Sequence, residues 1–188
     1  MMTETIISIF LGVGLAASVG FRVFLPLFAL SLASYFNIWE LNSSWVWIGS
    51  LTAVITLGVA TLIEILGYYI PFVDNILDTI AIPLAAVAGT AVMVSTVADL
   101  SPIITWALAI IAGGGTAATI KSAAGASRLT SSTTTAGLGN PLVSTVETGT
   151  SIVMSIFSIF LPILAFVLVI FVLFVIFKLY KKIKPSKP

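Results

Sequence analysis

The sequence contains no cysteine and no histidine. A protein without these residues forms no disulfide, binds no zinc through nitrogen or sulfur ligands, holds no haem iron through either side chain and has no imidazole to activate a nucleophile. Cysteine enzymes, Ser-His hydrolases and zinc proteins with such ligands are therefore excluded. We expect no cofactor and no bound metal, and the lack of a catalytic set makes an enzyme the less favoured class.

Charged residues are scarce as well. They make up 8% of the 188 residues, whereas apolar residues make up 59%, and the mean hydropathy is +1.21. A soluble domain is about 25% charged. Eight basic and seven acidic side chains could not cover the surface of a soluble protein of this length. The composition therefore predicts an all-α, polytopic transmembrane helix bundle surrounded by membrane lipids.

Apolar runs of about 20 residues, the length that crosses a bilayer, recur along the chain. They cover residues 6–36, 46–67, 73–97, 103–124 and 142–177. We expect Pro26 to kink or divide the first run, and turns near residues 68–71 and 99–102. Pro162 makes the last run either two spans or a re-entrant helix followed by one span. The polar residues 125–140 are predicted to form a loop. About six spans result, and five remain an alternative.

The distribution of basic residues predicts the orientation. Residues 178–188 contain five of the eight, and we interpret this segment as a basic cytoplasmic tail beside anionic lipids, not as a nucleic-acid patch. The loop with Lys121 and Arg128 is expected on the same side. Six spans then place both termini on the cytoplasmic side of the membrane. Residues 1–177 form a single bundle, and the first apolar run, which no basic segment precedes, is read as a retained span.

Two weak similarities suggest an internal repeat of residues 6–97 and 103–177. Residues 71–79 resemble residues 141–148. Residues 14–19 resemble residues 115–120, and a basic residue follows each of these two segments, Arg22 and Lys121 respectively. Halves of three spans each would form an inverted repeat, as in many secondary transporters. The shared composition of Gly- and Ala-rich membrane helices explains the same similarities equally well.

The candidate site residues are polar residues inside the apolar runs or in the polar segment between the last two runs. A charge at the bilayer centre costs about 2.5–3.5 kcal/mol and must face the bundle interior or water. The candidates are Arg22, Glu64, Asp74, Asp78, Lys121, Arg128, Asn140, Ser144 and Glu147. We interpret them as an ion- or anion-binding site near the membrane centre, with structural ion pairs as the alternative.

Two further patterns bear on this site. A stripe of Ser and Thr that begins at Ser144 runs along one helix face, and it either lines a polar cavity or bonds to neighbouring helices. The three glycines at residues 113–115 are predicted to break a helix, because each weakens it by about 1 kcal/mol relative to Ala.

Four segments also carry a family resemblance, namely residues 14–26, 71–83, 121–128 and 137–147. In these segments the chain resembles a bacterial family of small membrane proteins called domain of unknown function 4126, and the resemblance extends over residues 12–177. It implies a membrane architecture and points to the same polar residues, but it supplies no substrate.

Three classes of function remain, and two of them are favoured. One is a small transporter or permease-like carrier of an ion, a small anion or an amphipathic lipid-linked molecule. The other is a structural or assembly membrane protein without transport activity, and a lipid-processing enzyme is a third, weaker choice. The expected partners are membrane lipids and a small solute or ion, a homo-oligomer is compatible with the sequence, and no nucleic acid is expected.

Overall fold

The computed structural model describes residues 2–70, 73–98 and 100–183. Pro71 of the suggested repeat, Asp99 of a predicted turn and residues 184–188 of the basic tail lie outside the described residues. The described chain is helical. Its elements are α1 (Met2–Phe21), α2 (Phe24–Tyr35), a 3-10 helix (Ser43–Gly49), α3 (Leu51–Gly67), α4 (Val73–Thr96), α5 (Pro102–Leu108), a π-helical segment (Ala109–Gly114), α6 (Gly115–Thr135), α7 (Asn140–Phe160) and α8 (Pro162–Ile183).

The predicted polytopic bundle is confirmed. Among the described residues, five helices are long and apolar enough to cross a membrane, and α3 with its preceding 3-10 helix makes a sixth candidate that is bent by 64°. α5, the π-helical segment and α6 form one of the five, a continuous helix over Pro102–Thr135. Large apolar side chains, such as Leu62, Ile111 and Phe171, are exposed on the outer faces. Such faces are stable when lipid surrounds them.

α1 is the central helix, and it packs against α4, α6, α7 and α8. Its small residues face these neighbours: Gly12 lies against Met93 of α4, and Gly20 lies against Ile120 of α6. Small residues allow close helix packing in membranes, where no hydrophobic force drives helices together. α1 therefore sets the positions of the other helices.

The first apolar run breaks at Arg22 and Val23, as the prediction from Pro26 requires. A proline ring clashes with the carbonyl four residues earlier and donates no hydrogen bond to it. For Pro26 that carbonyl belongs to Arg22, the first residue after α1. α2 then folds back beside α1, since its Leu30 joins a core cluster with Leu11 and Leu15. The result is a tight helical hairpin inside the bundle.

This hairpin changes where the two ends of the chain lie. The N–H of Ala98, after α4, donates to Ser8 Oγ near the start of α1, whereas Arg22 contacts Ser144 near the start of α7. α8 starts beside the middle of α1 and shares a core cluster with Ala17, so it runs toward the Arg22 end. Met2 and Ile183 therefore lie at opposite ends of the bundle.

The prediction that both termini share one side is thus wrong. The physical reason is α2. This helix of 12 residues adds a short traverse of the bundle, and the apolar pattern of the sequence does not separate it from the first span. We call the end with Met2 the N-terminal end and the opposite end the basic end. The described basic residues all lie toward the basic end, namely Arg22, Lys121, Arg128, Lys178, Lys181 and Lys182.

The polar segment after Ala124 is helical, so the predicted loop is wrong for most of its length. α6 continues to Thr135, and a turn with Ala136 and Gly137 at positive φ links it to α7. The hydroxyls of Thr130 and Thr135 each donate to the carbonyl four residues earlier. Such bonds satisfy the hydroxyls without ending the helix.

The three glycines at residues 113–115 do not break their helix either. The chain takes a π-helical conformation at Ala109–Gly114 and continues directly into α6. A Cβ atom on Gly113 would lie 2.6 Å from the carbonyl oxygen of Gly89 in α4. Gly113 and Gly114 are therefore needed for the close contact of two backbones, and this contact compensates for their low helix propensity.

The last apolar run contains two full helices, as one of the two alternatives for Pro162 predicts. α7 ends at Phe160 and α8 begins at Pro162. α8 also continues beyond Phe177, so Lys178, Lys181 and Lys182 extend from a helix. The suggested repeat stays a prediction: residues 6–97 include α2 as an additional short helix, whereas residues 103–177 contain no counterpart between α6 and α7.

Candidate functional site

Two buried charges of opposite sign close the break between α1 and α2. Glu64 of α3 accepts hydrogen bonds from the N–H groups of Val23 and Phe24, at 2.7 and 2.9 Å. Lys121 of α6 donates to the carbonyl oxygen of Phe21, at 3.3 Å. An anion suits the N-terminus of α2 and a cation suits the C-terminus of α1, because helix dipoles point that way. The backbone groups freed by the break are thus satisfied away from water.

Arg22, at the break itself, is completely buried. Its Nη2 donates to the backbone oxygen and to the Oγ of Ser144, at 2.9 and 2.5 Å, and its Nε donates to Thr148 Oγ1 at 2.9 Å. Its Nη1 lies 3.1 Å from Glu147 Oε2. Arg22 therefore joins the hairpin of α1 and α2 to the first turns of α7.

Three cations surround the ring of Tyr68, which follows α3 and is only 2% exposed. The guanidinium carbons of Arg22 and Arg128 lie 4.1 and 4.2 Å from the ring centroid, and Lys121 Nζ lies 5.2 Å from it. Cations within about 6 Å of an aromatic face are attracted by its electron density. The tyrosine ring thus occupies the space where three positive charges converge.

Arg128 and Glu147 complete this group, with Asp78 at its edge. Arg128 Nη2 and Arg22 Nη1 share a single oxygen, Glu147 Oε2. Arg128 Nε lies 3.7 Å from Asp78 Oδ2, which is too far for a hydrogen bond. Within the described residues, Arg128 Nε, Arg128 Nη1 and Glu147 Oε1 are buried without a hydrogen-bond partner. We call Arg22, Tyr68, Asp78, Lys121, Arg128, Ser144 and Glu147 the Tyr68 cluster.

The cluster is offset toward the basic end of the bundle. Glu147 is the eighth residue of α7, which places it roughly 10 Å from the start of that helix at 1.5 Å per residue. Arg22 directly follows the 20 residues of α1, whose first residue lies at the opposite end. The expectation of a site near the membrane centre stays a prediction.

The nine candidate residues divide between two groups. Arg22, Asp78, Lys121, Arg128, Ser144 and Glu147 meet in the Tyr68 cluster, and Glu64 adjoins it through the break. Asp74 and Asn140 form a separate contact, in which Asn140 Nδ2 lies 3.2 Å from Asp74 Oδ2 and 3.0 Å from Ser132 Oγ. This second group joins the start of α4 to the end of α6 and the start of α7, a position that suits a structural role.

The Ser and Thr stripe of α7 also divides. Ser144 and Thr148 bind Arg22, as described. Farther along the stripe, Ser18 Oγ of α1 lies 2.9 Å from Ser151 Oγ and 2.7 Å from Ser155 Oγ. These three side chains are buried. Here the stripe bonds one helix to another, so the packing interpretation holds for this part.

A groove opens beside the Tyr68 cluster, between α2, α3 and α4. Its volume is about 280 Å³. Aliphatic and aromatic side chains line most of it, and the two polar residues of its wall are Glu64 and Tyr68. Ile63 and Ile80 of this wall are 65% and 50% exposed on the outer surface. The groove therefore faces lipid on one side and Tyr68 on the other.

Comparison with protein families places the chain in a known group. Residues 9–182 match the family model described as Domain of unknown function (DUF4126). The chain belongs to the DUF4126 family. The match contains all nine candidate residues and the described elements from α1 to α8, which confirms the resemblance in the sequence. No curated protein and no solved structure matches the chain.

Tyr68 is the residue of this DUF4126 member's cluster that is not among the nine candidates predicted from the sequence. Tyr68 and Tyr69 follow an apolar span and precede Pro71, so they resemble an interfacial turn. One signal was present: Tyr68 follows Glu64 by four residues, which places both on one face of a helix. Within the described part of the chain, no three acidic side chains come together as a metal site.

Proposed function

We propose that this protein is a small, permease-like membrane carrier that binds an anion at the Tyr68 cluster. The observation that carries this proposal is the convergence of Arg22, Lys121 and Arg128 on one buried tyrosine ring. Three cations and two carboxylates, Glu147 and Asp78, give the volume around the ring a net formal charge of +1, and burial reduces the screening of this field. A bound anion would occupy that volume in place of the ring.

Unused donors in the cluster support the proposal. Arg128 Nη1 has no hydrogen-bond partner among the described residues, and no described carboxylate lies within 4 Å of Lys121 Nζ. A buried donor without a partner costs about 1–3 kcal/mol, and more when it is charged. A bound anion would supply the missing acceptors.

The movement that a carrier needs is assigned to the hairpin of α2 and α3. Ser31 of α2 bonds to the backbone of Ile48, and Phe28 packs on Gly58, so the two helices form one unit. α3 contacts α4 only sparsely, and the groove lies between them. We propose that this hairpin moves relative to α1, α4, α6 and α7 and thereby exposes the Tyr68 cluster.

Charge supports an orientation in a bacterial inner membrane. The described basic residues lie toward the basic end, whereas the N-terminal end has the acidic residues Glu4 and Glu40. Basic residues are enriched on the cytoplasmic side of membrane proteins. We propose that the basic end, with α8's lysines, is cytoplasmic and that the N-terminal end faces outward.

Flux through reconstituted protein tests the carrier. Proteoliposomes are assayed with radiolabelled phosphate, sulfate and chloride, and with a fluorescent phosphatidic acid whose exposure a membrane-impermeant quencher reports. Arg128→Gln is expected to reduce the flux of the transported probe at least about tenfold, because a charged hydrogen bond contributes about 1.5–3 kcal/mol. The matched control, Lys182→Gln on the exposed part of α8, should leave flux unchanged. Equal flux in wild type and Arg128→Gln for all probes would exclude the site.

A structural or assembly role is the second candidate, and one observation favours it. Glu64 and Lys121 already satisfy the backbone groups at the helix break, so two of the candidate charges have a structural task. If assembly is the function, the protein should co-purify with a stoichiometric protein partner from native membranes. Wild type and Arg128→Gln would then both give flux at the level of empty vesicles for every probe.

A further inference from the structure

We infer that the ligand of the Tyr68 cluster is a membrane lipid with a phosphate monoester headgroup, which enters sideways through the groove between α2, α3 and α4. This inference rests on the proposed anion site and names its substrate class. The hydrocarbon chain would lie in the groove, and the phosphate would replace the Tyr68 ring between Arg128 and Lys121.

The groove has the properties that a lipid chain requires. Its wall is apolar apart from Glu64 and Tyr68, and Ile63 and Ile80 are on its outer, exposed side. Its volume of about 280 Å³ lies at the lower limit of the roughly 300–1,000 Å³ typical of ligand pockets. That size suits a segment of one chain and is small for a bulky solute. A hydrated inorganic ion would gain nothing from such a wall.

Tyr68 separates the groove from the cations. Tyr68 lines the groove, while Arg22, Lys121 and Arg128 all lie within about 5 Å of its ring centroid. Tyr68 directly follows the last residue of α3. Displacement of this single side chain would join the apolar groove to the cationic site.

The buried atoms without a partner include two donors and one acceptor, and a phosphate monoester can bond to both kinds. Arg128 Nη1 and Nε need acceptors, whereas Glu147 Oε1 needs a donor. A phosphate monoester has a second pKa near 6, so its singly protonated form accepts from Arg128 and donates to Glu147. A phosphodiester retains the acceptors but has no proton to donate. This difference distinguishes phosphatidic acid from phosphatidylglycerol.

Native mass spectrometry of the protein released from lipid nanodiscs tests the inference. The nanodiscs contain phosphatidylcholine with either phosphatidic acid or phosphatidylglycerol, and a third sample contains phosphatidylcholine with inorganic phosphate. We expect bound phosphatidic acid in excess of phosphatidylglycerol, and little bound inorganic phosphate. Arg128→Gln should weaken phosphatidic acid binding about tenfold or more, since it removes charged donors from the headgroup.

Groove variants distinguish the lipid from a soluble anion. Ala60→Trp fills the groove, and Leu62→Trp places the same side chain on the outer face of α3 as its matched control. Only Ala60→Trp should weaken lipid binding. Ile80→Trp, at another exposed position of the wall, is a second filling variant in case the first fails to fold.

The outcomes separate this inference from the proposed function. Binding of inorganic phosphate that depends on Arg128 but not on Ala60 or Ile80 would overturn the lipid inference and leave the anion site intact. Equal binding of phosphatidic acid and phosphatidylglycerol would overturn the assignment of a monoester. If Arg128→Gln changes neither lipid nor phosphate binding, both proposals fail together.

Discussion

The carboxylate of Glu64 accepts a hydrogen bond of 2.7 Å from the backbone N–H of Val23, and this contact holds the start of α2 at a break inside the bundle. A second bond from Phe24 engages its other oxygen. In lipid, a freed backbone group that lacks such a partner costs several kcal/mol. Glu64 therefore makes the hairpin of α1 and α2 possible, and the hairpin in turn places Arg22 against α7.

Substitution of Glu64 is expected to destabilise the protein. Glu64→Gln retains the shape of the side chain but offers one acceptor where two N–H groups need one each, so we expect a loss of about 1–3 kcal/mol. Thermal unfolding in detergent measures this loss. Glu40→Gln, at an exposed position, is the control. Equal melting temperatures for the two variants would show that the break does not depend on the carboxylate.

Two glycines of the continuous helix over Pro102–Thr135 give a matched pair of substitutions with opposite expected effects. Gly113→Ala would place a Cβ atom 2.6 Å from the carbonyl oxygen of Gly89, and we expect destabilisation by about 1–3 kcal/mol from overpacking. Gly125→Ala, in the same continuous helix but with no atom within 4 Å of the added Cβ, should stabilise by about 0.5–1 kcal/mol. Unfolding temperatures of the two variants should thus move in opposite directions. A gain in stability for Gly113→Ala would contradict the close packing of α4 on this segment.

The positions of the chain ends can be tested by labelling, since the chain has no cysteine. Single cysteines at the exposed positions Thr3, Ser43, Thr130 and Lys182 are treated with a membrane-impermeant thiol reagent on intact cells. We expect Thr3→Cys and Ser43→Cys to react, and Thr130→Cys and Lys182→Cys to react only after the cells are opened. Labelling of positions 3 and 182 from the same side would refute the short passage of α2.

Much of the architecture follows from composition and spacing. Apolar runs predict the spans, and Pro26 and Pro162 predict both divisions. The helical conformation of residues 125–135 does not follow from the sequence, because the local propensity of Ser, Thr and Gly favours a loop. In the bundle, the same hydroxyls bond back to their own helix and Arg128 reaches Glu147. Tertiary contacts therefore override local propensity in this segment.

The candidate site is also predictable only in part from the sequence. Burial cost alone identifies Arg22, Lys121 and Glu147, since ionised residues in apolar runs need an inward-facing partner. It does not identify Tyr68, because an aromatic residue at the end of a span also suits the membrane surface. Only the convergence of Arg22, at the break after α1, and of Lys121 and Arg128, from α6, on that ring reveals its position between the cations and the groove.

The sequence by itself determined that the chain faces lipid, that thiol and imidazole chemistry is absent, and which polar residues must turn inward, because these follow from the free energy of transfer of each side chain. The tertiary structure alone decided that α2 folds back, that Glu64 and Lys121 close the break, and that the cations meet at Tyr68 near one end. These features depend on contacts between residues far apart in the chain. Such contacts leave no periodic pattern in a sequence, so only the packing of α1 against its neighbours defines them.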